Sequence, residues 1–153
     1  MAAQSKSSPR AAPRTAATHY ASRATATPLA DHLRSGGLLV AGCPSRDVLM
    51  HVTSRWGVLV LVVLLDGMHR FSQLRRKVGG VSEKMLAQTL QALEGDGFVE
   101  RRALPVVPPH VEYTLTPLGM EVASRVAQLA EWIEVNLPRV MRARSLVDES
   151  TPV

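Results

Sequence analysis

Three leucines, Leu86, Leu90 and Leu93, recur at i, i+4 and i+7, and Lys84, Gln88 and Gln91 repeat that spacing on the opposite side. This period belongs to a helix with one apolar and one polar face. The apolar face has to dock on a core, which fixes where the other face looks. That other face carries one cation and two amides, groups able to meet both acceptors and donors on base edges. Ser82 is placed to cap the helix, Glu83 complements its positive end, and Gly95 or Gly97 ends the run.

Just upstream, Ser72 predicts the cap of a shorter helix through Val78. Leu74 and Val78 face inward, and Arg75, Arg76 and Lys77 face outward. Gly79-Gly80 separates the two helices. Helices joined by a short glycine-containing turn form a helix-turn-helix pattern, which αα-corners that bind nothing also share. After Gly97, residues 98–104 and 111–115 alternate Val, Phe, Tyr and Leu with polar residues and predict two strands. The intervening Pro105-Val106-Val107-Pro108-Pro109-His110 is too proline-rich to pair throughout, so a hairpin with a stiff tip is expected. Arg101, Arg102 and His110 lie along it. A hairpin directly behind a recognition helix acts as a wing, set against phosphates or in the neighbouring minor groove.

The core for this unit has to come from residues 56–65, where almost every side chain is apolar. The β-branched content alone suits a buried strand. The length, a cap at Ser54 and a stop at Gly67 favour a helix apolar on most sides. Before it, Pro44 suits a first helical turn, and Val48, Leu49 and Val52 give an inward stripe through His51. After the hairpin, Thr116-Pro117 starts a long helix. Its apolar positions Val122, Val126, Leu129, Ile133 and Leu137 recur up to Pro138, and Trp132 and Val135 widen the stripe. One small domain cannot readily cover that width, and such terminal helices commonly pack on a twin. The expected fold is therefore mainly α with a small β-hairpin, and the first and last helices (Leu49, Val122, Val126, Leu129, Trp132, Ile133) are the dimerisation elements.

The division expected is a disordered basic tail rich in Ala, Ser, Thr and Pro over 1–42, a domain over 43–142 and a frayed end over 143–153. One helical turn or two is expected within 28–34. A net charge of +5 and a pI near 10.1 favour an anionic partner such as double-stranded DNA. The longest apolar run, 58–65, is far short of the ~20 residues of a membrane-spanning helix. Lys6, Arg10, Arg14 and Arg23 flank no apolar segment of a secretory leader. The single cysteine excludes an internal disulfide and suits a reducing compartment, so a cytoplasmic, nucleoid-associated location is expected. His51, His69 and His110 fall on different elements without ligand spacing, and no nucleophile, base and orienter occur together. No metal, cofactor or enzymatic activity is expected.

Several segments together carry a family pattern: Cys43-Pro44, Arg55-Trp56, Arg70-Phe71-Ser72-Gln73-Leu74-Arg75, Val81-Ser82-Glu83-Lys84-Met85-Leu86, Leu93-Glu94-Gly95-Asp96-Gly97, and Pro108-Pro109-His110-Val111-Glu112-Tyr113-Thr114-Leu115-Thr116-Pro117-Leu118-Gly119. In this order they resemble the HxlR-type winged helix-turn-helix regulators of bacteria. The resemblance implies a homodimer that binds operator DNA and regulates transcription. Family members usually carry Lys at the position of Arg55 and often Arg at that of His110. On this reading Ser82, Lys84, Met85, Gln88, Thr89 and Gln91 enter the major groove, and Arg75, Arg76, Arg101, Arg102 and His110 contact the backbone. Several relatives sense quinones, aldehydes or oxidants through a cysteine near the first helix, which makes Cys43 the candidate redox sensor for an electrophile or small-molecule inducer; a small, inert packing thiol is the plainer alternative. Two other functions fit the same residues. One is a winged-helix protein-interaction module; the other is an architectural DNA binder driven by the tail.

Overall fold

A computed structural model describes Asp31 and residues 37–149. The tail expected over 1–42 lies outside the described residues except for Asp31 and 37–42, and so does most of the helical turn expected at 28–34. Residues 37–42 form hydrogen-bonded turns that lead into α1, Pro44–Thr53. Then follow α2 (Arg55–Leu64), β1 (His69–Arg70), α3 (Phe71–Lys77), α4 (Glu83–Gly95), β2 (Val99–Leu104), β3 (His110–Leu115) and α5 (Pro117–Glu149).

Residues 56–64 are helical, as length and cap predict for this stretch, with Leu65 as the C-cap, and α2 packs against the other four helices and β3. Val60, Leu61 and Leu64 are almost completely buried in it. Ser54 serves two helices. Its N–H closes α1 on Met50 O, and its hydroxyl accepts from Gly57 N–H at 3.0 Å to open α2. The two helices bend by 70° at this residue. The bend is tight enough that a Cβ on Gly57 would stand 2.0 Å from His51 O. No single helix among the described residues is long and apolar enough to cross a membrane.

Around α2 the core is completed by Leu74 and Val78 of the α3 segment, by Leu86, Leu90 and Leu93 of α4, and by Phe98, Val99, Tyr113, Ala123 and Val126. α4 stops as the glycines predict. Asp96 is the C-cap, Gly97 takes φ +79°, and the bonds Gly97 N–H to Glu94 O and Phe98 N–H to Leu93 O close a Schellman motif. The same corner seats α5. Thr116 N–H donates to Phe98 O at 3.0 Å, and its hydroxyl donates to Gly97 O at 2.6 Å and accepts from Gly119 N–H at 3.0 Å.

Three expectations are corrected. Ser72 does not cap α3; Arg70 occupies that position, and its N–H donates to Gln73 Oε1 at 2.8 Å. The cause is a third strand the sequence did not announce. His69 and Arg70 pair with Tyr113 and Glu112, holding the chain extended until Phe71, and the sheet has order β1-β3-β2. Finally, α5 passes through Pro138 and continues beyond residue 143, where a frayed end is expected, to Glu149. Proline removes one donor, and the Arg, Met and Ala that follow favour helix enough to carry it on.

Gly119 tests the corner. A Cβ there would stand 1.9 Å from Phe98 O, whereas one on Gly95 meets nothing within 4 Å. Gly119→Ala is expected to cost about 1–3 kcal/mol despite the better helix propensity of alanine, and Gly95→Ala to be neutral or stabilising by up to ~1 kcal/mol. Thermal melting of the two variants should therefore shift in opposite directions or leave only Gly119→Ala lowered.

Candidate nucleic-acid interface

With Leu86, Leu90 and Leu93 buried against α2, α4 turns Ser82, Lys84, Met85, Gln88 and Gln91 to solvent. Ser82 is the observed cap, its hydroxyl accepting from Met85 N–H at 3.1 Å. Thr89 is half-buried, and its hydroxyl donates to Met85 O at 2.8 Å. The exposed ridge is flanked by two clefts. Gln88 and Thr89 line one with Met50, His51 and Ser54; Gln91 lines the other with Glu94, Arg101 and Tyr113. The two amides therefore stand on opposite shoulders of the helix.

Neighbours brace α4 at both ends. His51 Nδ1 lies 2.7 Å from Asp96 Oδ2, tying the last turn of α1 to the C-cap of α4. Sequence reading missed this contact because the two residues are 45 apart and neither has a signature of its own. At the other end Arg75 Nη1 donates to Glu83 Oε1 at 2.5 Å, bridging α3 and α4. Lys77 Nζ stands 3.6 Å from Asp66 Oδ2, and Arg76 is exposed.

Strand alternation separates the wing arginines. Arg101 pairs in register with Tyr113 and shares its cleft with Gln91, whereas Arg102 lies opposite Glu112 on the other face. Arg70 is the partner of Glu112 on the far side, giving a cross-strand row of Arg70, Glu112 and Arg102. His110 does not extend the positive edge; its Nε2 is 3.4 Å from Glu112 Oε1, and both side chains are only about one-fifth exposed (21 % and 18 %). The tip, residues 105–109, contains no charged group, and Val107 is fully exposed.

The residues expected at a dimer contact divide into two sets. Leu49, Leu129, Trp132 and Ile133 are exposed, Trp132 by 58 %. Val126 is buried in the core of its own protomer and Val122 packs against that core, so the stripe read along α5 serves two surfaces in succession. Cys43 is partly exposed at the N-cap of α1. The Ser45 hydroxyl, then the Ser45 and Arg46 amides, hold its thiol below the usual cysteine range against the opposing effects of desolvation and, less, of Asp47. No group of three His, Cys, Asp or Glu residues suited to a metal occurs among the described residues.

Comparison with known proteins accounts for this arrangement. The family model for the HxlR-like helix-turn-helix matches residues 51–141. The uncharacterised HTH-type transcriptional regulator YtfH of Escherichia coli is 67% identical over 116 residues, covering 76% of this chain and 92% of its own. The solved structure of YtfH from Salmonella typhimurium, described as a candidate transcriptional regulator, superposes with a TM-score of 0.70 at 69% identity over 72% of this chain and 98% of that one. The redox regulator HypR in its oxidised form gives a TM-score of 0.56 at 36% identity over 61% and 97%. YtfH is thus named a transcriptional regulator of the helix-turn-helix type, and HypR a redox regulator. From α1 through the wing and most of α5, the chain belongs to the HxlR-like helix-turn-helix family.

Proposed function

We propose that the protein is a homodimeric repressor that binds a palindromic operator through α4 and releases it when Cys43 is modified. The observation that carries the operator reading is the exposure of Lys84, Met85, Gln88 and Gln91 on a helix whose opposite face is locked in the core. Lys84 suits guanine or phosphate, and the glutamine amides suit adenine edges. Arg76, Arg101 and Arg102, with Ser82 at the helix start, would fix register on the backbone, and Arg75 joins them through the pairing described above. His110, held toward Glu112, is a weaker candidate for a phosphate contact.

The distal half of α5 exposes Leu129, Trp132, Ile133 and Val135 in succession, and Leu49 is exposed on α1. A contiguous apolar surface of this kind marks an interaction site, and a twin helix is the simplest cover for it. Two α4 helices held by such a contact would meet half-sites about one turn of DNA apart, roughly 34 Å. Residues 43–142 would form the operator-binding unit. Any adduct at Cys43, at the mouth of α1, would act on the element that braces the end of α4 through His51. HypR is named a redox regulator, and its likeness to this chain supports a thiol signal here.

Gln88→Ala is expected to weaken binding to a duplex enriched from random sequence by about 1–3 kcal/mol while leaving a scrambled duplex nearly unaffected. Arg102→Ala should weaken both and flatten the salt dependence by about one unit of slope. Equal losses for both variants on both duplexes would remove α4 from base recognition. Trp132→Glu should shift the protein toward monomer in sedimentation experiments and reduce operator affinity with it. Because hydrogen bonds from Ser45 and Arg46 hold the Cys43 thiol low, alkylation should set in at lower pH than for the same thiol in Ser45→Ala, which lacks the largest of them. Cys43→Ser should abolish release from DNA by electrophiles. Unchanged release in that variant would end the sensing role.

A further inference from the structure

The first turn of α4 carries a carboxylate beside the face assigned to DNA, on the flank toward α3. Glu83 follows the Ser82 cap directly and precedes Lys84, and its side chain is 69% exposed. A surface shaped only to attract phosphates loses affinity for every carboxylate it bears, since attraction scales with the phosphates neutralised. The partner of Glu83 is Arg75, eight residues away, whose Nη1 donates to Glu83 Oε1 and whose side chain is 51% exposed. An ion pair this open to water adds little to fold stability. Its consequence lies elsewhere. It draws Nη1 of a guanidinium that would otherwise sample many rotamers to the seam of the two helices, in a cleft also lined by Phe71, Ser72 and Arg76.

We propose that Glu83 is a positioning residue: it holds the Arg75 fork so that its remaining N–H groups meet one backbone phosphate in a single geometry, setting the register in which Lys84 and Gln88 reach the bases. The inference rests on the operator reading above and adds to it a residue that works against bulk attraction. A pre-oriented fork binds a two-oxygen acceptor with less rotamer entropy to lose than a free one. Arg75 with Glu83 carries no net charge, so it adds little to binding of arbitrary DNA. Glu83 thus lowers attraction to all sequences and raises discrimination among them.

The test is binding of the full chain to a duplex enriched from random sequence and to its scrambled counterpart, between about 50 and 200 mM salt, for wild type, Glu83→Gln, Arg75→Ala and the double variant. Glu83→Gln is nearly isosteric, and melting temperatures read any loss of its favourable charge at the helix start. With Arg75 released, Glu83→Gln should bind the scrambled duplex more tightly and with a salt slope steeper by about 0.9. It should bind the enriched duplex less tightly, so that the ratio of the two affinities falls on the order of tenfold, the cost of one misfitted contact. In the Arg75→Ala background the same substitution should leave the ratio unchanged. Tighter binding to both duplexes in equal measure would reduce Glu83 to simple repulsion and overturn the proposal, as would a drop in the ratio that persists without Arg75. A wild-type chain with no preference for the enriched duplex would instead overturn the operator reading itself, and this inference with it.

Discussion

The packing of Leu86, Leu90 and Leu93 against α2 is the constraint from which the rest of the molecule follows. All three are buried to 1% exposure or less, as are Val60, Leu61 and Leu64 on the facing helix. Burying a leucine contributes about 1.5–3 kcal/mol, so three of them represent a sizeable share of the roughly 5–15 kcal/mol by which a domain is stable. Rotating α4 by one residue would expose them. The orientation of Lys84, Gln88 and Gln91 is therefore set by the core and not by anything they touch themselves. Rigid presentation of this kind suits recognition, because side chains already in place lose less freedom on binding.

The corner after α4 extends this rigidity to the C-terminal helix. Leu93 and Phe98 close the Schellman motif, Phe98 O accepts from Thr116 N–H, and Gly119 lies so close to Phe98 that no side chain fits there. The end of α4 and the first turn of α5 accordingly move as one body. His51 and Asp96 attach the last turn of α1 to the same corner. In the proposed dimer, a change of angle between two copies of α5, or a displacement of α1, would reach the exposed face of α4 through three short connections, without a relay of loosely packed side chains.

How much of this was legible in the sequence depends on the range of the interaction involved. Local rules worked well. Ser54, Ser82 and Thr116 cap where a hydroxyl before an apolar period should, and the leucine stripe gave the buried face of α4 correctly. The helix over 56–65 was decided by length and cap against β-branched composition, and that decision agrees with the structure. What escaped is what two distant segments do together. His69 and Arg70 are too short a run to read as a strand, and they become one only because β3 offers an open edge. Their pairing then displaced the start of α3 from Ser72. His51 with Asp96 and Arg75 with Glu83 are likewise products of the tertiary fold, invisible to periodicity.

The C-terminal helix shows a different limit. A period of three and four residues identifies an apolar face but not the surface that covers it. Along α5 the same stripe is answered first by the core of its own protomer at Ala123 and Val126, and further on, from Leu129 to Leu137, by nothing within the described part of the chain. The helix has 33 residues, about 50 Å at 1.5 Å per residue. Most of a helix's stability in a protein comes from packing of its apolar face, and Pro138 removes a hydrogen bond from this one. A segment so apolar and so little supported by its own domain gains stability from whatever lies against it. The architecture thus leaves the exposed face of α4 fixed from within and the distal face of α5 dependent on contact.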